Sequence, residues 1–186
     1  MELNEVIYHR RAVRSYTDQS VDKSTAMTLI QAAIQAPSAI NLQPWAFAVI
    51  QDKSLLNRYS DRAKVLASAA TGLTTAHPEL KDHLSDPAFN IFYNASTLIV
   101  ICAKPAGQHP AWDCCLAAQN LMLAAHSLGL GTCPIGLSWT LLEQADVKQE
   151  LRIPVDYVAV VPIIVGYPLT HTAAPERREP EILCWK

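Results

Sequence analysis

Arginine is concentrated near the start of the chain, in the stretch HRRAVRSY at positions 9–16. Arg10 and Arg14, with Arg11 between them, point the same way if the stretch is extended, and share a face if it is helical. Two guanidinium groups that converge repel each other unless an anion lies between them, and their planar forks suit phosphate oxygens. The spacing is therefore consistent with a bound phosphate. A solvated basic turn, or pairing with acids elsewhere, is the alternative it leaves open.

A second polar stretch, APSAINLQPW at positions 36–45, follows a predicted helix and precedes a predicted strand. Two prolines stiffen its ends, because the proline ring fixes φ. Ser38, Asn41 and Gln43 lie between them and can hydrogen-bond a polar, planar ligand. The stretch is thus either a ligand-binding loop or an ordinary connection after a helix stop.

The composition is that of a globular protein: 50% of the 186 residues are apolar, 17% are charged and the net charge is −2. A general nucleic-acid binder would carry a basic face overall, so nucleic acid is not an expected partner. The opening MELNEVIYHR has early acids and no apolar segment, and no apolar run reaches membrane-spanning length. We therefore expect a cytoplasmic protein with no membrane partner. The length suits a single domain over residues 1–186.

The cysteines and histidines form no recognisable catalytic or metal-binding motif. The five cysteines are odd in number and lack a CxxC pair, so we interpret them as reduced, buried thiols. The six histidines are scattered, and no HExxH or Cys–His hydrolase motif is present, so we predict no metal site. Gly129 and Gly131 follow a predicted helix rather than a strand, which indicates a helix C-cap instead of a dinucleotide-binding loop.

Apolar periodicity predicts a mixed α+β domain. Helices are predicted at 2–9, 24–35, 53–70, 111–128 and 141–151, and strands at 46–52, 96–103 and 157–168, with a short extended piece at 132–137. The polar residues 71–86 predict a mobile loop, and the tail 169–186 should pack along this domain or a partner subunit. Helix 111–128 is apolar nearly all round and should be buried on more than one side. The apolar surplus fits either a well-filled core or a subunit interface.

The two opening motifs together resemble those of the nitroreductase family of FMN-dependent oxidoreductases. RRAVRSY at 10–16 is similar to the family's Arg-Arg-Ser-x-Arg-x-Phe segment, and APSAINLQPWAF at 36–47 to its Pro-Ser-x-x-Asn-x-Gln-Pro-Trp segment. Downstream, DCCLAAQNLMLAAHSLGLGTCPIG, VVPIIVGYP and PERREPEILCW resemble its central helix with glycine turn, its late strand and its closing segment. Ala12 replaces a common Ser, so one hydrogen bond to the cofactor should be missing. Tyr16 replaces a common Phe, which is a mild change.

The resemblance spans nearly the whole chain and implies a fold. It implies a three-layer α/β/α arrangement with a central, mostly antiparallel sheet, and two subunits interlocked in a homodimer with FMN at their interface. The apolar helix 111–128 and the apolar end of the tail would then be buried by the partner.

The resemblance also implies which residues contact FMN. They are Arg10, Arg11, Ala12, Arg14, Pro37, Ser38, Ala39, Asn41, Pro134, Ile135, Gly136, Arg177 and Arg178. Arg10 and one of the two C-terminal arginines would hold the phosphate, and Arg14 would lie near the phosphate and the polar edge of the ring. Residues 37–39 would approach from the other subunit, with Asn41 supporting that loop. Residues 134–136 would pass close to the isoalloxazine, where glycine allows near backbone contact.

The implied activity is NAD(P)H-dependent reduction. NADH or NADPH would deliver hydride to flavin N5, and a small, flat electron acceptor such as a nitroaromatic or a quinone would then take two electrons in a ping-pong cycle. The chemistry would belong to the cofactor, so no catalytic side chain is predicted. Residues 71–86 are where acceptor choice would differ. The alternative is a non-catalytic or specialised flavin-binding protein on the same fold.

Overall fold

A four-stranded antiparallel sheet lies at the centre of the computed structural model, which describes residues 2–69 and 78–186. Its strands are β1 (Trp45–Ile50), β2 (Thr97–Ala103), β3 (Gly131–Pro134) and β4 (Val158–Gly166), in the order β1-β2-β4-β3. Each of the three predicted strands, and the short extended piece, therefore forms a strand of this sheet.

The second strand explains why the sheet must be covered on both faces. Every residue of β2 is buried. Leu98 and Val100 belong to one apolar cluster, whereas Ile99 and Ile101 belong to another, because successive side chains of a strand point to opposite faces. The run is apolar throughout for this reason, and a layer of helices must pack on each side.

The described part of the chain has seven α-helices, and five of them supply those layers. The seven are α1 (Leu3–His9), α2 (Lys23–Ala33), α3 (Lys53–Ala69), α4 (Pro78–Ser85), α5 (Pro110–Ser127), α6 (Trp139–Leu142) and α7 (Ala145–Glu150). Residues of α2 and α5 fill the cluster on one face, and residues of α3, α6 and α7 fill the cluster on the other. The expected three-layer α/β/α fold is confirmed.

The ends of the helices follow their sequence signals. The Asp22 side chain accepts a hydrogen bond from the Thr25 N–H at 2.7 Å and so caps α2. Gly129 follows α5 with φ of +76°, the left-handed conformation that glycine adopts without strain. Gly129 is therefore part of a helix end, as predicted. None of the described helices is long and apolar enough to cross a membrane.

Three sequence expectations were wrong. The predicted helix 141–151 is two helices, because Gln144 is extended (φ −67°, ψ 136°) and starts α7 afresh. Part of the predicted loop 71–86 is the helix α4, which begins at proline, a residue well suited to a first helical turn. Residues 71–77 lie outside the described residues. Cys115 and Cys184 are exposed, while the other three cysteines are buried as expected.

The tail after β4 lies outside the core. Residues 169–186 form no regular helix or strand. Near its end, Leu183 is 89% exposed and Trp185 is 87% exposed. The apolar end of the tail therefore does not pack along this domain in the single chain.

Candidate functional site

The arginine-rich segment 10–17 is held against the sheet by backbone hydrogen bonds. The Val13 N–H donates to the carbonyl of Thr132, a residue of β3, at 2.9 Å. Farther along, the Thr17 N–H donates to the Tyr167 carbonyl at 2.9 Å, just after β4. The segment therefore extends the edge of the sheet, and its position is fixed by two strands that are distant in sequence.

Two glycines allow the segment to lie this close. A Cβ atom on Gly131 would lie 2.7 Å from the Cβ of Val13, and one on Gly166 would lie 2.7 Å from Cδ1 of Tyr16. Any larger residue at either position would push the segment away from the sheet. The Tyr16 hydroxyl also donates to the Val13 carbonyl at 2.7 Å, which fixes the turn between the two contacts.

A cavity of about 320 Å³, the arginine cavity, opens beside this segment. It is lined by Arg10, Arg11, Ala12, Arg14, Thr172, Ala173, Pro175 and Arg177. Burial lowers the pKa of Arg10, and the positive charges of Arg11 and Arg177 lower it further. Within residues 2–69 and 78–186, no carboxylate lines this cavity and no ion pair engages these arginines. The clustered positive charge suits an anion, and the bidentate geometry of arginine suits a phosphate.

The two C-terminal arginines differ in their relation to the arginine cavity. Both are exposed, but Arg177 lines the cavity beside Arg10 and Arg178 does not. The sequence did not distinguish Arg177 from Arg178, because the tail has no periodicity that indicates which side chain faces the cavity.

Arg14 has two neighbours that sequence reasoning missed, Cys133 and Tyr93. Burial raises the pKa of the Cys133 thiol, and the nearby Arg14 guanidinium opposes that rise. Burial also raises the pKa of Tyr93, again against the influence of Arg14. Tyr93 has φ of +52°, a strained conformation that no sequence signal announces. Cys133 lies just after the predicted glycine turn, and that position could have identified it as a candidate site residue.

The backbone after β3 is open on the side near Cys133. Pro134 and Gly136 are exposed, while Ile135 is buried and its N–H donates to the Pro162 carbonyl at 2.8 Å. No atom of the described residues comes within 4 Å of a Cβ placed on Gly136. The packing of this chain therefore does not require glycine there, whereas close approach of a ligand to the backbone would.

The loop 37–43 has an unusual backbone. Ile40, Asn41 and Gln43 have φ of 43°, 59° and 49°, which is the left-handed region that non-glycine residues rarely adopt. The Gln43 N–H donates to the Ser38 hydroxyl at 3.0 Å, and the Gln43 amide donates to the Asn41 side-chain oxygen at 3.0 Å. The loop is exposed and is shaped largely by its own polar side chains.

One buried carboxylate ties this loop to the core. The Ala39 N–H donates to the Asp113 side chain at 3.2 Å, and Asp113 lies in the first turn of α5. Asp113 is 8% exposed. Sequence reasoning placed the loop correctly after α2 and before β1 but missed Asp113, because its partner is distant in the chain.

The loop and the arginine segment lie at opposite corners of the molecule. In the sheet register, Trp45 at the start of β1 pairs with Ala103 of β2, which in turn pairs with Val158 at the start of β4. Thr132, beside the arginines, pairs with Val165 near the end of β4. At ordinary strand spacings this is about 20 Å along the strands and about 15 Å across them. The helix α5 agrees, because His126, which lines a cavity with Arg10, follows Asp113 by thirteen residues, or about 20 Å.

The predicted site residues therefore fall into two groups. Arg10, Arg11, Ala12, Arg14 and Arg177 meet at one corner, and 134–136 adjoins them through Cys133 and Arg14. Pro37, Ser38, Ala39 and Asn41 lie at the other corner and do not join them in one chain. The arginine cavity and the open backbone beside it fit a phosphate-bearing planar group such as FMN.

These features define a three-layer α/β/α protein with an arginine-lined corner beside exposed backbone. The chain belongs to the Nitroreductase family, whose sequence profile matches residues 7–167. A protein of Archaeoglobus fulgidus with the provisional name NADH dehydrogenase/NAD(P)H nitroreductase is 30% identical over 175 residues, which are 90% of this chain and 86% of that protein.

Two further comparisons agree with this membership. The FMN reductase [NAD(P)H] of Bacillus subtilis is 28% identical, over 94% of this chain and 70% of that protein. The crystal structure of a nitroreductase with bound FMN from Bacteroides fragilis has a TM-score of 0.82 at 23% identity, and the match covers 100% of this chain and 98% of that one. The second comparison confirms the fold.

Proposed function

We propose that this protein is an FMN-dependent oxidoreductase that uses NADH or NADPH to reduce flat acceptors such as nitroaromatics or quinones. The observation that carries the proposal is the arginine cavity, where Arg10, Arg11 and Arg177 converge with no carboxylate among the described residues that line it. The names of the relatives from Archaeoglobus fulgidus and Bacillus subtilis support the donor and the cofactor. FMN would accept hydride from the donor at N5 and pass two electrons to the acceptor in a ping-pong cycle.

Each group of residues at the arginine corner has a distinct task. Arg10 and Arg177 hold the phosphate through charge-assisted hydrogen bonds. Arg14, placed between Cys133 and Tyr93, holds positive charge near the polar edge of the ring, which favours the acceptance of electrons there. Exposed Pro134 and Gly136 let the planar group approach the backbone. No side chain is assigned as an acid, a base or a nucleophile.

The separation of the two corners supports a homodimer with composite sites. The loop 37–43 cannot reach the arginine cavity of its own chain, so we propose that it completes the flavin site of a second copy. Apolar side chains that the single chain leaves exposed supply an interface, notably Trp112 at 66% exposure and Trp185 at 87%. The predicted cover for helix 111–128 and for the tail would come from this partner.

The first test is the visible absorption spectrum of the purified protein, followed by anaerobic addition of NADH and of NADPH. A yellow protein that either nucleotide bleaches, and that a nitroaromatic or a quinone reoxidises, supports the proposal. A colourless protein that does not bind added FMN contradicts it. A yellow protein that resists both nucleotides favours a flavin-binding protein without this activity.

We also propose that residues 1–186 form one domain, and that the protein is cytoplasmic. Limited proteolysis of the flavin-loaded protein tests the first, and fractionation of cells that express it tests the second.

A further inference from the structure

A second cavity, the histidine cavity, adjoins the arginine cavity and has a volume of about 230 Å³. The two cavities share Arg10, Arg11 and Thr172. The histidine cavity adds three imidazoles that the proposed reaction does not use, those of His9, His126 and His171. They come from α1, from the last turn of α5 and from the tail, so the fold brings together residues that are far apart in sequence.

Several of these side chains are already oriented. The His9 Nδ1 lies 2.8 Å from the Glu5 carbonyl oxygen. Because a carbonyl can only accept, Nδ1 carries a hydrogen and Nε2 remains for another partner. Arg11 donates from Nη1 to the carbonyls of Tyr8 and Arg10, at 2.7 and 2.9 Å, which anchors one end of its guanidinium.

The charge in this cavity is one-sided. Burial lowers the pKa of His126, and Arg10, His9, Arg11 and His171 lower it further, because each adds positive charge. No carboxylate in the described part of the chain lines the cavity. The nearest acid on α1, Glu5, accepts from the Glu2 N–H at 3.1 Å, at the opposite end of that helix.

Neutralisation of helix ends does not account for the cluster. Both α1 and α5 finish near the cavity, and a helix C-terminus carries at most about half a negative charge. Arg11 alone offsets the combined charge of two such ends, and Arg10 is assigned to the flavin phosphate. The three imidazoles are present in addition to these arginines. A ligand with more than one negative charge therefore accounts for the cluster better than the two helix ends do.

We propose that the histidine cavity binds a phosphate group distinct from the flavin phosphate, with Arg11, His126 and His171 as its ligands. Two sources share this chemistry, the 2′-phosphate of NADPH and free inorganic phosphate. Binding of the anion favours the protonated form of His126, so it strengthens as the pH falls toward the ordinary pKa of histidine. The site does not depend on turnover and goes beyond the proposed reductase activity.

The test is calorimetric titration of the flavin-loaded protein with inorganic phosphate, repeated with sulfate at about pH 6 and about pH 8. Sulfate keeps a constant charge over this range, so a change in its affinity reports on the protein. The variant is His126→Gln with His171→Gln, and the control is His109→Gln, at the far end of α5. We expect sulfate to bind more tightly at the lower pH, and the double variant to lose about tenfold in affinity there with unchanged flavin content.

Histidine titration by NMR gives a second readout. Phosphate, against chloride at equal ionic strength, should raise the pKa of His126, shift the imidazole resonances of His171 and leave the resonances of His109 unchanged. Equal shifts at all three would mean general screening and would overturn the proposal. Affinity that is independent of pH, or equal in the double variant and the wild type, would also overturn it.

Further experiments distinguish the two sources of phosphate and test the site independently of the reductase proposal. A rise in KM for NADPH but not for NADH in the double variant assigns the cavity to the donor's 2′-phosphate, whereas equal KM values assign it to free phosphate. Both results support the site. If the protein carries no flavin, the titration is run on Arg177→Gln, which weakens binding in the arginine cavity while leaving the histidine cavity intact.

Discussion

The arginine segment 10–17 and the loop 37–43 are the two regions that the sequence linked to one cofactor, and the structure builds them in opposite ways. The segment is fixed by strand-like hydrogen bonds to β3 and to the chain after β4, over two glycines. The loop is exposed, has left-handed backbone at three residues and contacts the core through Asp113. One region is placed by the sheet, and the other by its own side chains and one carboxylate.

The difference supports the proposal that each chain holds two unlike half-sites. The arginine corner supplies charge in a partly enclosed cavity, which suits a phosphate. The loop supplies backbone and amide groups in a conformation that costs energy and persists only where other contacts maintain it. A distance of more than about 20 Å between them means that one chain cannot use both on the same ligand.

The largest effect is expected from Arg10→Ala combined with Arg14→Ala. The phosphate and ring edge lose charge-assisted hydrogen bonds, so flavin affinity should fall by at least about a hundredfold. The ratio of flavin to protein absorbance after desalting measures this. The control is Arg58→Ala with Arg62→Ala, whose side chains form exposed ion pairs with Glu150 and Asp146. Full flavin retention by the first variant would refute the assignment of the arginines.

The close contact beneath the segment is tested by Gly131→Ala against Gly136→Ala. The new methyl at position 131 would collide with Val13, so we expect a loss of roughly 1–3 kcal/mol in the free energy of unfolding, together with weaker flavin binding. The methyl at 136 meets no atom of the described residues, so it should weaken flavin binding with little change in stability. Urea denaturation of the apo proteins and flavin titration separate the two effects. Equal destabilisation by both variants would contradict the packing described for the segment.

The anchor of the loop is tested by Asp113→Ala. Removing the carboxylate leaves the Ala39 N–H without its partner, so flavin affinity should fall by about tenfold. His109→Ala, one turn earlier at the same end of α5, is the matched control. Unchanged affinity in Asp113→Ala would mean that the loop needs no anchor, or that it does not touch the flavin.

The smallest effect is expected from Asn41→Ala. Asparagine tolerates φ of 59° better than alanine does, and its side chain accepts the Gln43 amide, so the loop should lose about 1 kcal/mol of support. Flavin retention, or dimer stability, should weaken more than in His126→Ala. The reverse order in a fluorescence titration would put the role of the loop in doubt.

Local features of the fold were predictable from the sequence, and long-range ones were not. Gly129 marked the end of a helix, because caps are encoded within a few residues. The split of the last helical stretch at Gln144 was missed, because the residue has no side chain that announces a cap. The resemblance to the nitroreductase family supplied the layer order, which periodicity alone does not fix.

The candidate site shows the same limit. Arg10 and Arg14 could be grouped by spacing alone, since they are four residues apart. Arg177, Cys133 and Tyr93 join them only through the strand order β1-β2-β4-β3 and the path of the tail, which no short motif determines. The opposite placement of the loop depends on the register of β4 for the same reason.

The central claim, that each flavin site takes its arginines from one chain and its loop from another, is tested most directly with mixed dimers. One subunit carries Arg10→Ala and Arg14→Ala, the other carries Asp113→Ala and Asn41→Ala, and differently tagged copies are co-expressed and purified through both tags. If the sites are composite, one site of each mixed dimer combines an intact arginine corner with an intact loop, so about one flavin should bind per mixed dimer. Each parent homodimer should retain less flavin than the mixed dimer under the same desalting conditions. Mixed dimers as empty as both parents would contradict the claim, because each site would then be built within a single chain.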